Sequence, residues 1–457
     1  MNIKLPLPSL FLLLFWLFSC QSAAPKEEKA SQFLGIPTAD IESELTTLIT
    51  KWYPRIVDTI NGGYWTNFEF DWRQSDQQAK MLVTQARGLW TAARMVQFYP
   101  ENEMLRAAAD HGFDFLTTTL WDAKNGGFYL NWTPENPTPT TAYHLTYANA
   151  FVLYAFAEYA KINKDPAVIS WVKKTFDWLE ERAHDPKELG YFNLVFLDDA
   201  LAKASKDSPE RLALGWGGGS WKGQNTSIHL LEALTNAYQV LPTPLVKERL
   251  AEMLGLVRDK FVHPDGYLQL YYTNDWDVIS YKDSSRQFIL DHLRDDHVSF
   301  GHDIETAFLL LEASETLYGE KDERTMLVAK RMLDHTLKTG FDHDYLGLFD
   351  KGYYFKGVDT IEILGKEKTW WAEAEAWHSL ALFSLLYPEN KDYPYAFRQM
   401  WTYLQENIID HAHGGWYGRG IDENPDSKNE RKAHAWKGAY HNGRSLVQVL
   451  EYARGVE

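Results

Sequence analysis

The chain has 457 residues, 45% of them hydrophobic and 15% aromatic, with a mean hydropathy of -0.40 and a formal net charge of -17. That size and polarity describe a soluble globular protein with ample core, as one large domain or two to three ordinary ones. The acidic balance, with no cluster of Lys and Arg, excludes a nucleic-acid surface.

Residues 5–18, LPLPSLFLLLFWLF, form a continuous apolar run behind Lys4. The run is too short to span a bilayer comfortably and fits the apolar region of a secretory signal. LFSC follows, and Cys20 is the sole cysteine. A lone Cys after a small residue at the end of a signal looks like a bacterial lipoprotein box. Residues 1–19 are therefore expected to be removed, Cys20 to carry lipid, residues 20–38 to act as a polar tether, and residues 39–457 to form the folded domain. An ordinary secretory signal cut near Ser22–Ala24 is the alternative. The expected location is the bacterial cell envelope, with the lipid anchor as the only membrane contact. A lipidated Cys20 leaves no disulfide, so folding rests on the core.

From residue 41 onward one pattern repeats. Residues 41–57 carry apolar positions at helical spacing. NGGYW (61–65) then makes a turn and the start of a short strand. Residues 79–99 are helical again. The same order recurs with helices at 104–121 and 145–162 around NGGFY (125–129), and at 167–183 and 225–240 around LGYFN (189–193). It continues at 246–262 and 303–318 around DGYLQ (265–269), at 323–340 and 370–387 around LGLFD (346–350), and at 394–410 and 440–455 around HGGWY (413–417). A long fixed period means stacked helical hairpins. Six of them are expected to close as an (α/α)6 barrel, all-α, with short strands in the turns at one mouth. An open solenoid is the alternative, and the absence of polar end caps argues against it.

Unusual polar residues fall on the second helix of each pair. They are Arg87, Asn225 with His229, His302 with Glu305, Trp370 with Trp371, and His441 with Arg444. Each has an ordinary structural role open to it: a cap or satisfied core histidine, an ion-paired arginine, core tryptophans. Their shared placement points them at one axial pocket. HAHGG (411–415) and FDHD (341–344) lie in turns and lack a third well-spaced ligand, so no metal is expected. With no phosphate loop, nucleotide fingerprint or nucleophile motif, no cofactor is expected either. Two imidazoles suit moving a carbon-bound proton near neutral pH. Deprotonation beside an aldehyde gives an enediolate, whose oxyanion needs a fixed cation such as Arg87. Two opposed histidines would make a cofactor-free epimerase; one histidine acting twice on one face would make an aldose–ketose isomerase. The heavy load of Trp and Tyr also fits a sugar cleft.

The blocks NTSIHLLEALTNAY, GHDIETAFLLLEA, TWWAEAEA and WKGAYHNGRS resemble the N-acylglucosamine 2-epimerase superfamily, most of all its cellobiose 2-epimerase branch. The resemblance covers nearly all of the chain after the tether. It implies an (α/α)6 barrel that epimerises carbon 2 of a reducing-end glucose or mannose unit. It implies His302 and His441 as the acid/base pair and Arg87 with Tyr147 as the group that holds the sugar. Asn225, His229, Glu305, Trp370, Trp371 and Trp436 would line the pocket. Ser227, Phe308 and Glu373 depart from the family's frequent His, Trp and Gln, which bears on substrate length and sugar preference. A long stretch, residues 277–296, is expected near the pocket mouth. A glycoside hydrolase or a sugar-binding lipoprotein on the same barrel is the reading from another class. A hydrolase wants two carboxylates across the cleft, and Glu305 has no partner evident in the sequence.

Overall fold

The computed structural model describes residues 31–198 and 222–456. The expected signal at 1–19, Cys20 and the tether up to residue 30 lie outside the described residues. Residues 32–37, read from sequence as tether, belong instead to the packed body. β1 (Gln32–Phe33) and β2 (Ile36–Pro37) form a small hairpin. Phe33 and Ile36 are buried, and Phe33 meets Phe397 edge-on at 5.8 Å. Two apolar side chains with a core to join are enough to end a tether there.

Six helix pairs follow. The outer helices are α1 (Thr38–Trp52), α3 (Glu103–Phe115), α5 (Pro166–Arg182), α7 (Pro244–Leu256), α10 (Glu323–Thr339) and α12 (Asp392–Tyr403). The inner ones are α2 (Leu82–Phe98), α4 (Thr146–Ile162), α6 (Gln224–Val240), α9 (Phe300–Tyr318), α11 (Trp370–Leu386) and α13 (Tyr440–Val456). A short α8 (Arg286–Asp291) interrupts the fourth connection. Each inner helix packs against the next, and α13 returns to α2. The ring is therefore closed, as an (α/α)6 barrel. Inner helices are buried nearly all round, whereas outer helices keep a polar face, as two concentric rings require. The first helix ends at Trp52, short of the expected residue 57, because Pro54 cannot continue it.

The glycine turns do more than join helices. In each unit one bridge closes the turn: Val57–Tyr64, Trp121–Phe128, His184–Tyr191, Val262–Leu268, Phe341–Leu348 and Ile409–Trp416. Gly127 has φ +74°, and a Cβ there would meet Trp178 at 2.6 Å, so only glycine fits without displacement. Strands then tie neighbouring units around the mouth. β3 (Lys80–Met81) pairs β4 (Asn131–Trp132), β5 (Tyr143–Leu145) pairs β6 (Leu194–Phe196), and β7 (Lys222–Gly223) pairs β8 (Tyr271–Tyr272). β9 (Val298–Ser299) pairs β10 (Lys351–Tyr353), which also carries β11 (Glu362–Gly365). Bridges Thr369–Arg419 and Phe68–Ala433 complete the circle.

A buried aspartate paired with a lysine, or in one unit with a histidine, recurs beneath these turns. Asp58, Asp122, Asp185, Asp342 and Asp410 each accept two turn amides through one oxygen. The other oxygen meets Lys80, His144, Lys222, Lys368 or Lys432 at 2.5–3.2 Å. Burial opposes ionisation of Asp410, but Lys432 and the turn amides outweigh it and hold the carboxyl at about 2. A polar side chain from the inner helix caps the next amide of several turns: Gln85 on Tyr64, Asn149 on Phe128, Asp303 on Leu268 and Glu373 on Leu348.

Glu373 therefore serves a turn, and its departure from the family's glutamine lies away from the sugar preference expected of it. Burial pushes its carboxyl up to about 8. The folded state keeps that proton while the unfolded chain loses it near 4.5, so stability falls as pH rises from about 4.5 to about 8. Glu373→Gln keeps the acceptor for Leu348 and removes the titration. The variant should gain thermal stability over the parent, by on the order of 1–3 kcal/mol at pH 8, with the gain shrinking toward pH 5. Melting curves across that range check this; a gain independent of pH would refute it.

Candidate active site

The inner helices begin at the strand-lined mouth, and their first turns carry the histidines. His302 and His441 both lie against Trp371, with ring centroids 4.8 and 5.8 Å from it. Each ring has its Nδ1 engaged by the protein: Ser299 Oγ lies 2.7 Å from that of His302, and Glu375 Oε1 lies 2.5 Å from that of His441. Nε2 of each is thereby left for chemistry. Burial, then the charges of His229, His297 and Arg87, push His302 down to about 3. Burial, then Arg87, Arg444, His229 and His302, push His441 well below the usual histidine range. Both shifts favour the neutral imidazole, the form that accepts a proton.

Arg87 stands beside them. Its guanidinium covers the rings of Phe151 and Tyr440 at 4.3 and 4.9 Å and donates to the Tyr147 hydroxyl at 3.2 Å. Among the described residues no carboxylate lies within ion-pair distance of it, so the ion-paired structural role left open by the sequence is not what the fold gives it. Arg87 also lines a narrow recess with Thr84, Trp65 and Trp436, the last 39% exposed. His229 packs on Tyr147 and Phe151.

The structure thus brings together His302, His441, Arg87, Tyr147, His229 and Trp371, and Trp436 lines the recess on the other side of Arg87. Trp370 turns toward the sixth unit, where it meets His434 at 6.1 Å and Lys437. Asn225 is half-buried on the same face of α6 as His229. Glu305 is buried on an arginine. The stretch at 277–296 is pinned to β10 and β11. Asp296 accepts Ser280, the Tyr281 amide and Tyr353, and Arg286 and Lys356 pair with Glu362 and Asp283.

Beneath the histidines lies a charge cluster that sequence reasoning largely missed. Arg444 is 1% exposed. It binds Glu232, Glu305 at 2.7 Å and Glu375 at 2.6 Å, and it donates to the Tyr440 hydroxyl. Glu232 also holds His229 Nδ1 at 2.9 Å and accepts from Tyr440 at 2.7 Å. Burial works against Glu232, but Arg444 and His229 hold it down at about 2. Burial, aided by Glu305, pushes Glu375 well above the carboxylate range. Glu305, Glu375 and His441 place ligand-type atoms within 4.8 Å of one another. Nη2 of Arg444 already occupies both carboxylates, so a guanidinium supplies the positive charge there. The available signal was a charged residue inside an otherwise apolar inner helix: Glu232 and Glu375 both meet that description.

Comparison with known proteins places this geometry. A family model described as N-acylglucosamine 2-epimerase (GlcNAc 2-epimerase) matches residues 63–443. The cellobiose 2-epimerase of Bacteroides fragilis is 26% identical over 422 residues, covering 90% of this chain and 98% of that protein. The D-mannose isomerase of Marinomonas mediterranea is 25% identical over 420 residues, covering 90% and 96%. The solved cellobiose 2-epimerase of Bacillus thermoamylovorans B4167 superposes with a TM-score of 0.76 at 23% identity, covering 91% of this chain and 98% of that one.

Proposed function

We propose that this chain, which belongs to the N-acylglucosamine 2-epimerase family, is a sugar 2-epimerase that inverts carbon 2 of a reducing-end glucose or mannose unit. The observation that carries the reading is the pair of imidazoles, His302 and His441, set against one indole with Nδ1 of each engaged. The substrate is a cellobiose- or mannobiose-type disaccharide or free mannose. The relatives named for cellobiose and for D-mannose support that range.

In this reading the sugar ring opens to expose the C1 aldehyde. Nε2 of one histidine takes the proton from C2. The electron pair of the C–H bond moves into C1–C2, and the carbonyl electrons move onto O1, giving an enediolate. Arg87 is the buried cation that holds O1. The opposite histidine, protonated for that half of the cycle, returns a proton to C2 from the other face, and solvent resets both rings. Trp371, which touches both imidazoles, offers the sugar a flat apolar face, and Tyr147, Asn225, His229 and Trp436 hold the sugar. No cofactor takes part.

Proton NMR in heavy water with cellobiose, mannobiose, mannose and glucose tests this. The expected result is the C2 epimer with deuterium at C2. A ketose as main product would transfer the assignment to an aldose–ketose isomerase on the same site; the Marinomonas relative is named a D-mannose isomerase. Arg87→Lys keeps charge but loses the planar fork that grips two oxygens. Turnover should fall on the order of 10²-fold; a variant within twofold of the parent would return Arg87 to a structural role. Cys20 is read as the lipid-bearing residue of a cell-envelope protein. The mass of the mature N-terminus tests that reading, and a chain beginning beyond Cys20 would overturn it.

A further inference from the structure

We propose that Ser299 is a positioning residue for His302; this rests on the epimerase reading above. Ser299 ends β9 and is the N-cap of α9, three residues before His302. A serine there ordinarily accepts an amide from the first turn, worth about 1 kcal/mol. Ser299 makes no such bond. Its hydroxyl lies instead 2.7 Å from His302 Nδ1. The residue is 5% exposed, and its backbone is fixed by pairing with Lys351 in β10. The hydroxyl is thus a rigid point that gives up the cap to meet an imidazole.

The two histidines are therefore held differently. His441 leans on the carboxyl group of Glu375. Among the described residues, His302 has no carboxylate within ion-pair distance. A hydroxyl oxygen accepting from Nδ1–H keeps the Nε2 lone pair toward the pocket. The same bond persists when Nε2 gains a proton, so His302 passes between its two catalytic forms without changing tautomer or turning its ring. Removing the hydroxyl leaves Nδ1–H unpaired and frees the ring to adopt the tautomer with Nε2–H, which takes no proton.

The test measures C2 deuterium exchange separately for each epimer in Ser299→Ala, Ser299→Thr and the parent. One epimer presents its C2 hydrogen to His302, namely the one whose exchange His302→Asn abolishes. In Ser299→Ala its exchange should slow about tenfold or more, with KM little changed. The other epimer should stay within about twofold of the parent, and Ser299→Thr, which keeps the hydroxyl, should restore most of the loss. Equal slowing of both epimers, or none, would make Ser299 a structural residue and overturn the inference. If Ser299→Ala does not fold, Ser299→Cys, similar in size but a poor acceptor, is read the same way. A parent that exchanges C2 in none of the four sugars would instead defeat the epimerase reading itself.

Discussion

Replacing His302 or His441 by asparagine is expected to abolish epimerisation, with a loss of at least about 10³-fold, while the barrel stays folded. Asparagine is close in size and keeps one hydrogen bond, but it takes no proton, and positioned acid–base groups contribute on the order of 10²–10⁴-fold each. The two variants should differ in one respect. With opposed bases, each histidine handles the hydrogen of one epimer. The variant lacking one base should still wash deuterium into the epimer that faces the other, and the pattern should reverse in the second variant. A one-base isomerase behaves otherwise: one variant loses all exchange and the other keeps nearly all of it. Exchange measured at C2 for both epimers in both variants separates these cases. Equal exchange of both epimers in either variant would remove the two-base mechanism.

Arg444→Met should be the most damaging single change to the fold. It leaves Glu232, Glu305 and Glu375 buried around no cation. Breaking one buried pair costs about 3–5 kcal/mol, and a domain's whole stability is about 5–15 kcal/mol. At pH 7 the variant should be largely unfolded or insoluble. The sign of its pH dependence follows from the carboxylates. In the parent, Arg444 depresses Glu232 to about 2, so that stabilisation is present above its unfolded value of 4.5 and is lost only as pH falls toward 2. Without Arg444 burial raises the Glu232 carboxyl, the folded state binds more protons than the unfolded chain, and stability should increase as pH falls from 7 to 5. Circular dichroism at both pH values checks this. A variant as stable as the parent at pH 7 would mean that the three glutamates do not depend on Arg444.

Much of the architecture was legible because it is local. Helical spacing marks each hairpin, and glycines at positive φ mark each turn. His302 and His441 stood out as polar residues at the starts of second helices. The turn-bound Asp–Lys pairs were less legible, since Asp58 and Lys80 are 22 residues apart and Asp410 and Lys432 likewise. Residues 32–37 were misjudged because two apolar residues in a short polar stretch look like tether until Phe397 is beside them.

Glu373 and Glu375 show the boundary most clearly. They sit two apart in TWWAEAEA, and helix geometry alone sends such neighbours to different faces. The sequence by itself therefore determined that the two carboxyl groups face different ways, just as it determined six helix pairs and a polar set on the inner members. Which carboxylate serves the turn and which the axis was decided only by closure of the ring. Closure puts Leu348 before Glu373, and it puts His441 and Arg444, from a helix more than sixty residues away in sequence, before Glu375. Ser299 shows the same division at shorter range: its spacing from His302 suggests an ordinary cap, and only the pairing of β9 with β10 fixes the hydroxyl on the imidazole. A periodic sequence encodes the direction of each side chain relative to its own helix axis. It does not encode which residue stands across the barrel, because that depends on the closing of all six hairpins at once.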